Sequence, residues 1–390
     1  MQTTRSDGLL RPHATHGHHR VTYVELFFDL IFVFAITELS HALLHHPSPG
    51  GVLQGAMLLL GVWWVWVNTS WATNWLDPER VPVRLMLFAM MAVGLLMATA
   101  IPKAFDTRGL AFAGAFVLLQ LGRTVFVLAA IPAGDRALRR NFQRILCWFT
   151  LAAPFWIAGG IMEGTARPLL WGVALAIEYA SPAMRFWVPG LGASSVDDWS
   201  VEGGHMAERC GLFIIIALGE SVLITGATFA DAAWTWGSGA GLAAAFAGSI
   251  AMWWIYFDTG AEAGVARITG ADAPGRVARL AYTYLHLPIV AGIILTAAGD
   301  ELVLAHPGGD TGAFGMLTMI GGPLLFLTGV ILFKASIRGW FQVSHMVGMV
   351  ALLALGLATP WLAPLAVSMA VTGILVVVAM WETWSLGAAE

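Results

Sequence analysis

Residues 24–41 read VELFFDLIFVFAITELSH. The run is long and apolar enough to cross a bilayer, which takes about 20 residues of helix. It nevertheless carries Glu25, Asp29, Glu38 and His41. A charged side chain at the centre of a span costs at least ~2.5–3.5 kcal/mol on insertion scales, so it faces protein, water or a partner charge. A helix with three such acids cannot face lipid all round and needs a surrounding bundle. At about 100° per residue, Glu25 and Asp29 stand one turn apart on one face. Glu38 and His41 share a face roughly opposite, ~20 Å further along.

The rest of the chain has the composition of that bundle. Its 390 residues are 58% hydrophobic and 11% charged, against about 25% charged in a soluble domain, and the mean hydropathy is +0.75. A net charge of −4 without a basic, aromatic-interleaved stripe excludes a nucleic-acid partner. Cys147 and Cys210 lie in apolar runs and suggest packed side chains, not a disulfide framework or a metal cage. Residues 1–20 are polar and hold His13, His16, His18 and His19. They read as a disordered, solvated cytoplasmic tail, with metal binding as the alternative. The apolar run after Arg5, Arg11 and Arg20 is too long and too acidic for a signal peptide, and lacks a small-residue cleavage site.

The expected fold is all-α: a polytopic transmembrane bundle of about twelve helices. Spans fall near 22–45, 51–73, 82–101, 109–130, 143–162, 168–188, 206–229, 239–258, 279–298, 314–334, 344–360 and 363–384. Pro and Gly clusters such as Pro47–Gly51, Asp77–Arg80, Ile131–Asp135 and His306–Gly309 separate them. Pro154, Pro182, Pro288 and Pro323 lie within predicted helices and should kink them. With the N-terminus inside, sixteen Lys and Arg side chains fall in cytoplasmic segments. Only Lys103, Arg108 and Arg167 fall outside. The bias predicts cytoplasmic termini and an even helix count.

The second and eighth spans share a pattern. Trp63-Trp64-Val65-Trp66-Val67-Asn68-Thr69 matches Trp253-Trp254-Ile255-Tyr256-Phe257-Asp258-Thr259. The preceding helices align Glu38 with Glu220, and the following ones both open on Arg-Leu, at Arg84 and Arg279. Two parallel six-helix repeats are expected, over 21–195 and 196–390.

Two runs carry a resemblance. ELFFDLIFVFA at 25–35 is similar to the opening signature of the bacterial low temperature requirement protein A (LtrA) family. ERCGLFIIIALGES at 208–221 fits the same family, and the likeness extends from about Val21 to the C-terminus. It implies a multi-pass protein of the bacterial cytoplasmic membrane. The family's name records a growth phenotype, so the resemblance implies no chemistry.

Several polar groups should lie within spans: Glu38, His41, Glu178, Glu220 and His286 as a substrate or ion path, with His205 and His345 as further proton-relay candidates. Glu25, Asp29, Arg123, Glu208 and Arg209 are expected to form supporting ion pairs, with Arg123 neutralising Glu25 or Asp29. Asn68 and Asp258 are the repeat-equivalent polar pair. No P-loop, dinucleotide fingerprint or Gly-x-Ser-x-Gly elbow is present, and nothing identifies a cofactor. The two lysines, Lys103 and Lys334, read as helix-end residues. Buried carboxylates in duplicated halves suggest a transporter-like protein for a small solute or ion. An intramembrane enzyme using carboxylate and histidine on a lipid-like substrate is the alternative. A membrane protein without turnover is a third reading, and substrate and oligomeric state are open.

Overall fold

The apolar runs become helices because a backbone in hydrocarbon must satisfy its own hydrogen bonds. The computed structural model describes residues 8–11, 20–195, 203–258 and 279–387. The histidine-rich part of the tail lies outside them. Twelve principal helices are present among the described residues: α1 (Tyr23–His45), α2 (Pro49–Trp75), α3 (Val81–Ala100), α4 (Gly109–Ala130), α5 (Arg136–Ile161), α6 (Ala166–Ala183), α7 (Gly203–Asp231), α8 (Trp236–Phe257), α9 (His286–Ala305), α10 (Gly322–Arg338), α11 (Val343–Ala358) and α12 (Pro364–Gly387). Eleven are long and apolar enough to cross a membrane, counting with α9 and α10 the turns that lead into them and with α11 the turn that follows it. The exception is α6, of 18 residues, which carries Arg167 and Glu178.

Helix α5 begins at Arg136, well before the expected 143. The Asp135 carboxylate accepts the Leu138 N–H at 3.0 Å and caps the added turns. Pro288 and Pro323 sit near helix starts, not in interiors. A π-helical turn precedes each, at Arg279–Tyr284 and Leu317–Gly321. The wide turns and the position of each proline in the first helical turn take up the missing N–H.

The chain falls into two compact units, residues 1–42 with 50–206, and 43–49 with 207–390. In the first, Trp63, Trp64, Trp66, Trp156 and Trp171 are fully buried with Phe112 and Phe116. Indole N–H groups find partners there, as in Trp171 Nε1 donating to Trp156 O at 3.0 Å. Residues 8–11 are not free tail. The Arg11 N–H donates to Trp75 O at 2.7 Å, and the Asp77 N–H to Leu9 O at 2.9 Å, pinning the segment to the end of α2.

In the second unit α9 and α10 pack through glycine. A Cβ on Gly322 would stand 2.7 Å from the Thr296 nitrogen, and one on Gly329 2.8 Å from the Ile289 nitrogen. A Cβ on Gly292 would meet the Phe326 backbone. Small residues permit this approach in membrane bundles. Gly292→Ala should therefore destabilise the fold by about 1–3 kcal/mol through overpacking. The check is a lowered thermal unfolding midpoint of the full chain in detergent, with exposed Gly373→Ala as the silent control.

Candidate functional site

Helix α1 buries one stripe. Glu25, Phe28, Asp29, Phe32, Ile36, Leu39 and Leu43 follow the 3.6-residue period and are all buried. Glu25 is fully buried. Its carboxylate accepts from the Thr22 N–H and hydroxyl at 2.9 Å each, the reciprocal half of a capping box. It also pairs with Arg11 Nη2 at 3.2 Å and meets His205 Nε2 at 2.9 Å. Asn74 Nδ2 lies 3.4 Å from the other ring nitrogen of His205. Arg11 Nε donates to the Thr73 and Leu76 carbonyls at 2.9 and 3.0 Å, where the helix dipole favours a cation. Asp29 accepts from Trp66 Nε1 at 2.8 Å.

Glu38 and His41 lie across the helix from that stripe. Glu38 is half-buried and His41 exposed. Neither makes a hydrogen bond or ion pair among the described residues, so the expected acid–imidazole pair does not form. A helix with one buried stripe turns residues 38 and 41 away from it.

Arg123 does not neutralise Glu25 or Asp29. Its Nη1 donates to Thr69 Oγ1 at 3.2 Å and to Val65 O at 3.4 Å, and its Nη2 to Gln120 Oε1. Gln120 passes the charge on, since its Nε2 donates to Glu178 Oε2 at 3.1 Å. Trp156 Nε1 completes the carboxylate at 3.0 Å. Gln120 and Arg123 share a face of α4 one turn apart, and that face meets α2 and α6. The acid, the amide and the guanidinium are each at most 3% exposed. The sequence reading chose the wrong acid because helical periodicity gives a face, not the neighbour it meets.

In the second unit Glu220 and Arg209 are buried, and Glu208 is half-buried. His286 is held from both sides. Its Nδ1 donates to Ala281 O at 2.8 Å, leaving Nε2 to accept from the Tyr256 hydroxyl at 2.8 Å. Tyr282 and Phe333 pack against the ring. That is a packed, satisfied imidazole. The repeat-matched pair diverges too. Asn68 donates to Trp64 O of its own helix at 2.8 Å, whereas exposed Asp258 accepts from Thr383 Oγ1 at 2.6 Å.

Sequence reasoning missed a second network. Lys334, read as a helix-end residue, is 1% exposed. Its ammonium donates to Glu382 Oε1 and Oε2 at 2.7 and 2.9 Å and to Ile255 O at 2.6 Å. Gln342 Nε2 donates to Glu382 Oε1 at 2.7 Å, and His345 Nε2 lies 3.7 Å from Oε2. Asp300 was missed as well. It is 8% exposed within α9, with no hydrogen bond or ion pair among the described residues. A signal for Glu382 existed: Glu178-x-x-Ser181 recurs as Glu382-x-x-Ser385 in the last helix of each predicted half. No group of His, Cys, Asp and Glu suited to a metal ion occurs among the described residues.

Apolar spans closing over satisfied charges define a multi-pass α-helical membrane protein. Residues 20–380 match the family of the bacterial low temperature requirement A protein, LtrA, and the chain belongs to that family. It is similar to the uncharacterized protein RA0937 of Rhizobium meliloti (strain 1021), at 42% identity over 366 residues, covering 93% of this chain and 89% of that one. No solved structure matches the chain significantly.

Removing one partner of a buried charge pair destabilises by about 3–5 kcal/mol. Arg123→Leu should thus reduce the yield of monodisperse protein, and Glu178→Gln in the same chain should restore part of it. Asp29→Asn and Glu25→Gln should restore none, as size-exclusion profiles of the four variants will show.

Proposed function

We propose that the chain is a transporter-like protein of the bacterial cytoplasmic membrane, with both termini cytoplasmic, moving a small solute or ion with coupling through buried carboxylates. The observation that supports this reading is Asp300. It is a carboxylate within an apolar span, buried and without a bonded partner among the described residues. An uncompensated charge there is strongly unfavourable. No described residue neutralises it, and a proton or a small cation, which is what a coupled transporter binds, would do so. Glu220 remains in the path because it is buried on α7, while Glu38 leaves it because it lies on the face of α1 turned away from the buried stripe. His286 moves to the framework, since both of its ring nitrogens are engaged, and Glu178 stands apart from the path, held by two neutral donors. Two π-helical turns interrupt the spans of the same unit, and such turns often mark functional sites.

The enzyme reading rests on a different observation, the 2.9 Å contact of Glu25 with His205. A carboxylate holding an imidazole suits acid–base chemistry. Here Glu25 and Asn74 engage both ring nitrogens, and neither acid nor imidazole is more than 1% exposed. Transport is therefore the better-supported reading.

Proteoliposomes loaded with a pH-sensitive dye and given an imposed pH gradient test it, with sodium, potassium and a quaternary amine as trial cations. Asp300→Asn should slow the coupled flux about tenfold or more, equivalent to ~1.4 kcal/mol in the barrier. Wild-type flux in that variant counts against the proposal.

A further inference from the structure

The Lys334 network repeats the Arg123 network helix for helix. In the first unit a cation on α4 donates to a carbonyl of α2, Arg123 to Val65 O at 3.4 Å. In the second a cation on α10 donates to a carbonyl of α8, Lys334 to Ile255 O at 2.6 Å. Val65 and Ile255 are the residues that the tryptophan pattern aligns, 190 positions apart. The acid comes from the sixth helix of each set, Glu178 on α6 and Glu382 on α12. A neutral donor comes from the fifth in each set, at different positions: Trp156 near the end of α5 and Gln342 at the N-cap of α11.

Neighbouring contacts keep the same register. Trp64 stacks on Tyr179, with ring centroids 4.1 Å apart. Their counterparts Trp254 and Thr383 are joined by a hydrogen bond of 3.0 Å. Ser181 donates to Glu178 O and Ser385 to Glu382 O, at 2.7 and 2.9 Å. The shift from α6 to α12 is 204 positions at the acid, at its neighbour and at the serine alike. Chance similarity between apolar helices does not hold two registers while rebuilding a charge network on four of them.

The copies have otherwise diverged. Arginine has become lysine, and the glutamine bridge has become a direct pair. The Trp63–Trp64 pair is buried, while Trp253 and Trp254 are 45% and 42% exposed. Both charges survive in each copy. Buried ion pairs contribute little net stability over apolar side chains of equal volume. Their survival in two diverged halves therefore points to a use for the charge itself. Glu382 holds the Lys334 ammonium and Glu178 two neutral donors, and each carboxylate is at most 2% exposed, which leaves no room for a metal ion or an organic cation.

We infer that Lys334–Glu382 is a second charge site, the duplicate of Arg123–Glu178, and that at both sites the acid takes a proton while the nearby cation keeps its charge. The step is a simple protonation: a hydronium proton binds a carboxylate oxygen and leaves water. The Arg123 guanidinium keeps its bonds to Thr69, Val65 O and Gln120, and the Lys334 ammonium keeps its bond to Ile255 O. The ionisable group facing Glu178 among the described residues is Arg123 on α4; α2 and α5 offer Val65 O, Thr69 and Trp156. Those facing Glu382 are Lys334 on α10 and His345 on α11, while Asp258 on α8 is tied to the neighbouring Thr383. The inference rests on the transport reading for its purpose and not for its test.

Infrared difference spectra of the full chain in lipid, recorded on acidification, report protonation through the carbonyl stretch of carboxylic acids. The wild type should show the band, and Glu178→Gln and Glu382→Gln should each remove part of its intensity. Arg123→Lys and Lys334→Arg should fold and keep it. A lone acid-to-amide change leaves a buried cation, so Arg123→Met/Glu178→Gln and Lys334→Met/Glu382→Gln are measured alongside and should show the same losses. Full intensity after removal of either acid overturns proton binding at that acid, and with it the equivalence of the two sites. The readout needs no flux, so this inference and the transport reading can fail separately.

Discussion

The structure depends on one constraint: hydrocarbon supplies no hydrogen bonds, so every charge within a span must be answered by protein or by a bound species. The chain meets it with a limited set of donors. Lys334 spends its protons on two carboxylate oxygens and one carbonyl. Arg123 is shared among an amide, a hydroxyl and a carbonyl. Tryptophan does double duty. The rings of Trp66 and Trp156 fill the first unit's interior while their N–H groups donate to Asp29 and Glu178. This accounts for buried indoles in a protein that also sets tryptophans such as Trp236 and Trp361 exposed at a helix start and end, where an interfacial belt belongs.

The same constraint explains why the fold was legible in the sequence and the site only partly so. Spans are announced by twenty-residue apolar runs, and Pro-Gly clusters end them because little else can. Helical period also placed Glu25 and Asp29 on one face, as found. What it does not specify is the neighbour that face meets. Arg123 was matched to acids on α1, although its true partner Gln120 stood one turn away on its own helix. Glu38 and His41 were correctly set apart from Glu25, but the opposite face of a helix with one buried stripe looks outward.

Lys334 and Glu382 were passed over for a related reason. Both lie within one or two turns of a helix end, where charge is ordinarily solvated. Here α10 runs to Arg338 and α12 to Gly387, and α8 and α11 pack over the pair. Depth within the bundle, not distance from a helix terminus, decides whether a charge must be answered. The sequence pattern held that information, since Glu178-x-x-Ser181 recurs as Glu382-x-x-Ser385 and only one of those acids stood out as mid-span.

Acids in this chain thus divide by how they are answered. Glu25 carries a histidine, an arginine and two donors from Thr22, which together tie the N-terminal segment, α1 and α2 into one corner. Protonating such a group would forfeit several charge-assisted bonds at once, so it acts as a fixture. Glu178 is held by two neutral donors, with its cation one amide removed, and gives up less when neutralised. Among the described residues Asp300 has nothing bonded to it to give up. The gradation from fixture to exchangeable pair to open carboxylate is what a protein needs if charge is to move through it without the bundle coming apart.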